Sequence, residues 1–140
     1  MNKSILIIDF EPHVRRGIES ILRKEEYQVR CASTREEVIG IFNSEPFDLV
    51  IMDIRMPETN GLELIKEVKK LSDDIEVIIL TGSPSIENAV KAVRDYGVFD
   101  FLCKPLESVD QLTNSVKKAL QKHDVLPKKQ GCFMEAKAGS

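Results

Sequence analysis

Short runs of consecutive apolar residues alternate, from Ile5 to Leu120, with segments whose apolar positions recur every three or four residues. The runs Ile5-Leu6-Ile7-Ile8, Leu49-Val50-Ile51-Met52 and Val77-Ile78-Ile79-Leu80 are apolar on every residue. A strand of that kind needs cover on both faces, so these three predict the inner strands of a parallel sheet. Tyr27 to Cys31 alternates apolar with polar, as does Phe99 to Cys103, where Phe99, Phe101 and Cys103 would share one side. Alternation marks strands nearer water, and these two are predicted at the margins. Three inner strands and two edges make an open sheet.

The intervening segments carry helix punctuation. Pro12 opens a helix with Val14, Ile18, Ile21 and Leu22 at helical spacing. Thr34 and Glu37 form a capping box ahead of Val38, Ile41 and Phe42. Asn60-Gly61 precedes Leu62, Ile65, Val68 and Leu71, while Ser83 and Pro84 are predicted to cap and start a helix with Ala89, Val90 and Val93 that Gly97 ends. The last helix carries Leu112, Val116, Ala119 and Leu120, with Lys117, Lys118 and Lys122 toward its negative end. After His123 the periodicity stops. Residues 1–123 are therefore predicted as one folded domain, and 124–140 as a disordered tail or shortened linker. His13 and His123 are read as solvated helix positions.

Composition narrows the classes. The 140 residues leave room for one domain of ordinary size, and 42% hydrophobic with 31% charged residues is a globular balance. A net charge of −3 argues against a nucleic-acid surface. The longest apolar runs fall far below the roughly 20 residues that a membrane-crossing helix needs, and Met1-Asn2-Lys3-Ser4 shows no signal-peptide pattern. A cytoplasmic location without membrane association is expected. Cys31, Cys103 and Cys132 are odd in number and widely spaced, and are read as reduced thiols.

The chemistry lies in where polar residues fall. Asp9 follows the first apolar run, Asp53 the third, Thr81 the fourth and Lys104 the fifth, so all four sit at strand C-terminal ends. In an open parallel sheet those ends line the rim where ligands bind. Two carboxylates there repel one another unless a cation intervenes, and a hard dication such as Mg²⁺ suits oxygen ligands. Lys104 and Thr81 would face a bound phosphoryl group, and Asp53 could act as nucleophile toward phosphorus. Taken singly, each residue has a duller reading as a turn former, a cap or a solvated side chain. Their coincidence at corresponding strand ends is what favours a site.

These residues resemble a known family. Asp53-Ile54-Arg55-Met56-Pro57 with Gly61, then Thr81-Gly82, Gly97 and Phe101-Leu102-Cys103-Lys104-Pro105, are similar to the receiver domain of response regulators, the CheY-like superfamily of two-component signalling. The similarity spans Lys3 to His123. It implies a single flavodoxin-like (βα)5 doubly wound parallel sheet of strand order 2-1-3-4-5. It also implies Asp53 as phosphoacceptor, Lys104 as partner of the phosphoryl group, Thr81 as the hydroxyl that moves toward it, and Phe101 as the aromatic switch. Mg²⁺ would be held by Asp9, Asp53 and the Arg55 backbone carbonyl, and Lys104-Pro105 falls where the family has a cis peptide. Implied partners are a histidine kinase or phosphotransfer domain, a downstream effector protein or domain, and in some cases a second copy as homodimer. Such a domain is not an enzyme in the usual sense, because it catalyses only its own phosphorylation and dephosphorylation.

The departure from the family pattern is at the acidic pair. Asp9 is followed by Phe10, where a second acidic residue normally ligates the metal, and Glu11 comes one place later as a weaker candidate ligand. Losing one unit charge at ~4 Å forfeits on the order of 4 kcal/mol at an effective dielectric near 20. Weakened Mg²⁺ binding is expected. The alternative is a pseudo-receiver, a docking module that works without phosphate. Nucleotide-binding and dehalogenase-type readings fit less well, since Asp9-Phe10-Glu11-Pro12 lacks a glycine cradle and places no Asp two residues after Asp9.

Overall fold

The structure, a computed structural model, describes residues 2–56, 59–82 and 85–125. The main sheet has β1 (Ser4–Ile8), β2 (Gln28–Ala32), β3 (Leu49–Met52), β4 (Glu76–Thr81) and β5 (Asp100–Cys103). Its strands run parallel in the order β2-β1-β3-β4-β5, which is the predicted 2-1-3-4-5. Helices α1 (Pro12–Lys24), α2 (Arg35–Ser44), α3 (Gly61–Leu71), α4 (Ile86–Asp95) and α5 (Val109–Val125) connect and follow them. A two-rung antiparallel ladder, Arg55–Met56 against Thr59–Asn60, closes the loop after β3. No hydrophobic pattern along the chain signals that ladder.

The unbroken apolar runs divide between two layers by parity, because successive strand side chains point to opposite faces. Leu6, Ile8, Val50, Met52, Val77 and Ile79 join Val38, Leu62, Ile65 and Val68 from α2 and α3. Ile5, Ile7, Leu49, Ile51, Ile78 and Leu80 join Ile18, Leu22, Leu112 and Val116 from α1 and α5. Covering both faces is what makes every position of the inner strands apolar. At about 25 cal/mol per Å² of apolar surface, the two layers supply the main drive for folding.

Several expectations shift. The second strand begins at Gln28 and the fifth at Asp100, so Tyr27 and Phe99 lie just outside. Phe99 packs in the α1/α5 layer and Phe101 in the opposite one, so the two do not share a side. The α4 N-cap is Ser85, whose Oγ accepts from Asn88 N, while Ser83 and Pro84 lie outside the described residues. Among the described positions of α4 Ala92 is buried, and Val90 and Val93 are exposed, because this helix packs against the edge strand β5 and has little sheet to cover. The Thr34–Glu37 capping box, the Asn60 cap and Gly97 at φ +68 after α4 are present as predicted. Helix α5 continues to Val125, two residues past the predicted edge, and 126–140 lie outside the described residues.

Candidate functional site

The register of β1 and β3 decides where two carboxylates meet. Ile8 pairs with Met52, so the next residues, Asp9 and Asp53, leave adjacent strands side by side. Asp53 N donates to Ile8 O at 3.0 Å and Asp9 N to Ala32 O at 3.1 Å, which extends the ladders by one residue and fixes both backbones. Both side chains are buried, at 2% and 4% residue exposure. Burying two like charges is costly without a partner.

That partner is Lys104. Lys104 N donates to Thr81 O at 2.9 Å, holding the residue against the end of β4. Its Nζ lies 2.8 Å from Asp9 Oδ2 and 2.9 Å from Asp53 Oδ2. Strands are spaced about 4.8 Å apart, so a side chain starting beside β5 must reach over β4 to meet these acids. A long flexible amine does this where a short donor could not. Glu11 Oε1 stands 3.7 Å from the same nitrogen.

The two aspartates are used alike. Asp9 Oδ1 accepts from Glu11 N at 3.0 Å, and Asp53 Oδ1 from Arg55 N at 2.8 Å. Each carboxylate therefore shapes its own turn with one oxygen and offers the other to Lys104. Arg15 further ties the Asp9 carbonyl to α1. Burial works against the Lys104 charge, but hydrogen bonds to Asp9 and Asp53, reinforced by their charges, outweigh it and hold the ammonium above the ordinary lysine range.

Thr81 is fully buried as the last residue of β4, paired with Cys103. Phe101 is partly buried against the α2/α3 layer, one strand position from Leu102. The Lys104-Pro105 peptide is cis. A cavity of about 160 Å³ opens over the acids, lined by Phe10, Glu11, Asp53, Arg55, Gly82 and Lys104. Larger hollows lie at the outer edge of β2 and along α1, away from this convergence.

Two buried carboxylates aimed at one point are the donor chemistry a hard dication takes. Among the described residues no group of three His, Cys, Asp or Glu is arranged to hold a metal. The residue after Asp9 is Phe10, which offers no side-chain ligand, so the two aspartates are the carboxylates that suit Mg²⁺ in kind.

Sequence reasoning missed three features. Gly82 lines the cavity, which no periodicity signals. His123, read as solvated, is buried on the inner side of α5, with Asp74 Oδ2 at 3.4 Å and Asp48 Oδ1 at 3.7 Å from its ring nitrogens. Glu76 is likewise buried at the start of β4, 3.7 Å from Lys122 Nζ. Both lie at the opposite end of the sheet from Asp53. Their burial comes from helix α5 crossing the sheet, a contact that local spacing does not encode.

The family description "Response regulator receiver domain" matches residues 5–117. The chain belongs to that family. The receiver is 36% identical to the regulatory protein AtoC of Escherichia coli (strain K12) over 117 residues, which are 84% of this chain and 25% of AtoC. It thus spans about a quarter of the curated relatives it matches. A receiver domain protein of Methanospirillum hungatei JF-1 superposes with TM-score 0.82 at 30% identity, over 89% of this chain and 98% of that one. The response regulator TrrA of Thermotoga maritima, solved in complex with Mg²⁺ and BeF, gives 0.73 at 32% identity, over 84% and 98%. The receiver is accordingly a module of two-component signalling. Among its described residues no helix is long and apolar enough to cross a membrane.

Proposed function

We propose that Asp53 accepts a phosphoryl group from the phosphohistidine of a histidine kinase or phosphotransfer domain, and that this change alters the face made by α4, β5 and α5. The observation that carries the reading is the single Lys104 ammonium at 2.8 and 2.9 Å from two buried aspartates. An Asp53 oxygen attacks phosphorus, the P–N bond to the donor histidine breaks, and the imidazole leaves with the electron pair. Lys104 meets the charge that gathers on the phosphoryl oxygens.

Asp9, Asp53 and the Arg55 backbone carbonyl would hold Mg²⁺, with Glu11 as a further candidate; bound there, the ion neutralises phosphoryl oxygens and orients them. Phe10 makes that binding weak. After transfer, Asp53 carries about −1.5 to −2 charge with new acceptor oxygens. The Thr81 hydroxyl moves toward them, Phe101 turns inward, and the rearranged face of α4, β5 and α5 engages a downstream effector protein or domain.

Incubation with acetyl phosphate and Mg²⁺ followed by intact-mass measurement tests the reading. A gain of one phosphoryl mass is expected, and it should be absent in Asp53→Asn. No gain at high Mg²⁺ would favour a docking module that works without phosphate.

A further inference from the structure

Phe10 is placed without help from the core. Phe42, Phe47, Phe99 and Phe101 all pack into one of the two apolar layers, whereas Phe10 joins neither and remains 39% exposed. A large apolar residue held at a polar rim gains little burial there, so packing does not explain its position. What Phe10 does do is line the cavity over Asp53. The other lining residues are Glu11, Asp53, Arg55, Gly82 and Lys104, so Phe10 is the large apolar residue of that lining.

The cavity measures about 160 Å³, and a water molecule takes roughly 30 Å³ of liquid, so it holds a handful of waters or a phosphoryl group with very few. An ordered water needs two or more polar partners. Glu11, Lys104 and backbone groups can offer them, but the face of a phenyl ring cannot. We infer that Phe10 is a positioning residue that keeps water from the phosphoryl group on Asp53 and so prolongs the life of the phosphorylated receiver. This rests on the phosphoacceptor reading above.

The step it slows is hydrolysis. Water oxygen bonds to phosphorus, the P–O bond to Asp53 breaks, the carboxylate leaves with the electron pair, and the water's protons pass to the released phosphate and solvent. Removing the ring opens the wall to water without touching Asp9, Asp53 or Lys104.

The wild-type chain, Phe10→Ala and Phe10→Leu are loaded with acetyl phosphate and Mg²⁺, freed of donor by desalting, and followed by intact mass in Mg²⁺ and in EDTA. Phe10→Ala should lose the phosphoryl mass several-fold faster in both conditions, and Phe10→Leu, which keeps an apolar wall, should stay near wild type. Equal lifetimes in all three would overturn the role of Phe10 and leave the phosphoacceptor reading standing. Faster loss confined to Mg²⁺ would overturn it too, since the ring would then be acting on the metal. If none of the three gains mass, both readings fall together.

Discussion

Lys104 Nζ lies 2.9 Å from Asp53 Oδ2, although 51 positions of sequence separate them. The same nitrogen holds Asp9, so one cation neutralises half of a buried carboxylate pair from adjacent strands. Remove it and two like charges remain in a poorly solvated place.

Lys104→Met keeps the length of the side chain and deletes the charge. Breaking a buried pair on one side costs roughly 3–5 kcal/mol, so denaturant unfolding should show a loss of that order. Millimolar Mg²⁺ should recover part of it, since a dication can take over between the two acids. A variant as stable as wild type without metal would show that the bridge contributes nothing.

The same bridge has a pH signature. The Lys104 ammonium is held above its ordinary value of 10.5, so its contribution is complete below that pH and is lost as pH rises through the raised value in the folded protein. Stability measured from pH 8 to 11.5 should fall at the alkaline end, and Lys104→Met should flatten part of that fall. Tyr27, raised by burial and by Glu25, contributes in the same direction. An identical alkaline slope in the variant would contradict the assignment.

Gly61 begins α3 directly against the loop from Asp53. A Cβ built there would sit 2.4 Å from Ile54 Cα, which is backbone and cannot step aside. Gly61→Ala should therefore destabilise by about 1–3 kcal/mol or more, as overpacking does. Gly17 offers the contrast, since nothing lies within 4 Å of its added Cβ in the middle of α1. Gly17→Ala should raise stability by about 0.5–1 kcal/mol through helix propensity. Thermal or chemical unfolding of both variants checks the pair.

The cysteines should react unequally. Burial, aided by Glu19, pushes the Cys31 thiol up to about 11, whereas Cys103 is exposed. A rise of two pKa units leaves about a hundredfold less thiolate near pH 8, and thiolate is the reactive form. Alkylation at pH 8 with peptide mass mapping should modify Cys103 well before Cys31. Comparable rates at the two positions would refute the buried, proton-retaining environment of Cys31.

The Thr34 cap offers a smaller test. Its Oγ1 accepts from Glu37 N at 3.1 Å while Glu37 Oε1 accepts from Thr34 N at 3.2 Å, so Thr34→Ala keeps the second bond but strands the Glu37 N–H at the start of α2. A loss of about 1 kcal/mol is expected by denaturant unfolding, and it should leave Asp53 phosphorylation unchanged.

Local pattern was enough for everything that depends on neighbours in the chain. Consecutive apolar residues in Leu49–Met52 announce a strand covered on both faces, Thr34 with Glu37 announces a helix start, and the parity of Ile5 to Ile8 already assigns each side chain to a layer. The placing of Asp9, Asp53, Thr81 and Lys104 at strand ends was legible for the same reason. Distances between residues far apart in sequence were not. That Lys104 reaches over β4 to both acids, that Phe10 stands at the cavity rather than in a layer, and that His123 and Glu76 are buried beneath α5 all depend on how separate segments cross in space. Hydrophobic periodicity specifies which face turns inward. Only the packed arrangement of sheet and helices sets which polar groups that inward turn brings together.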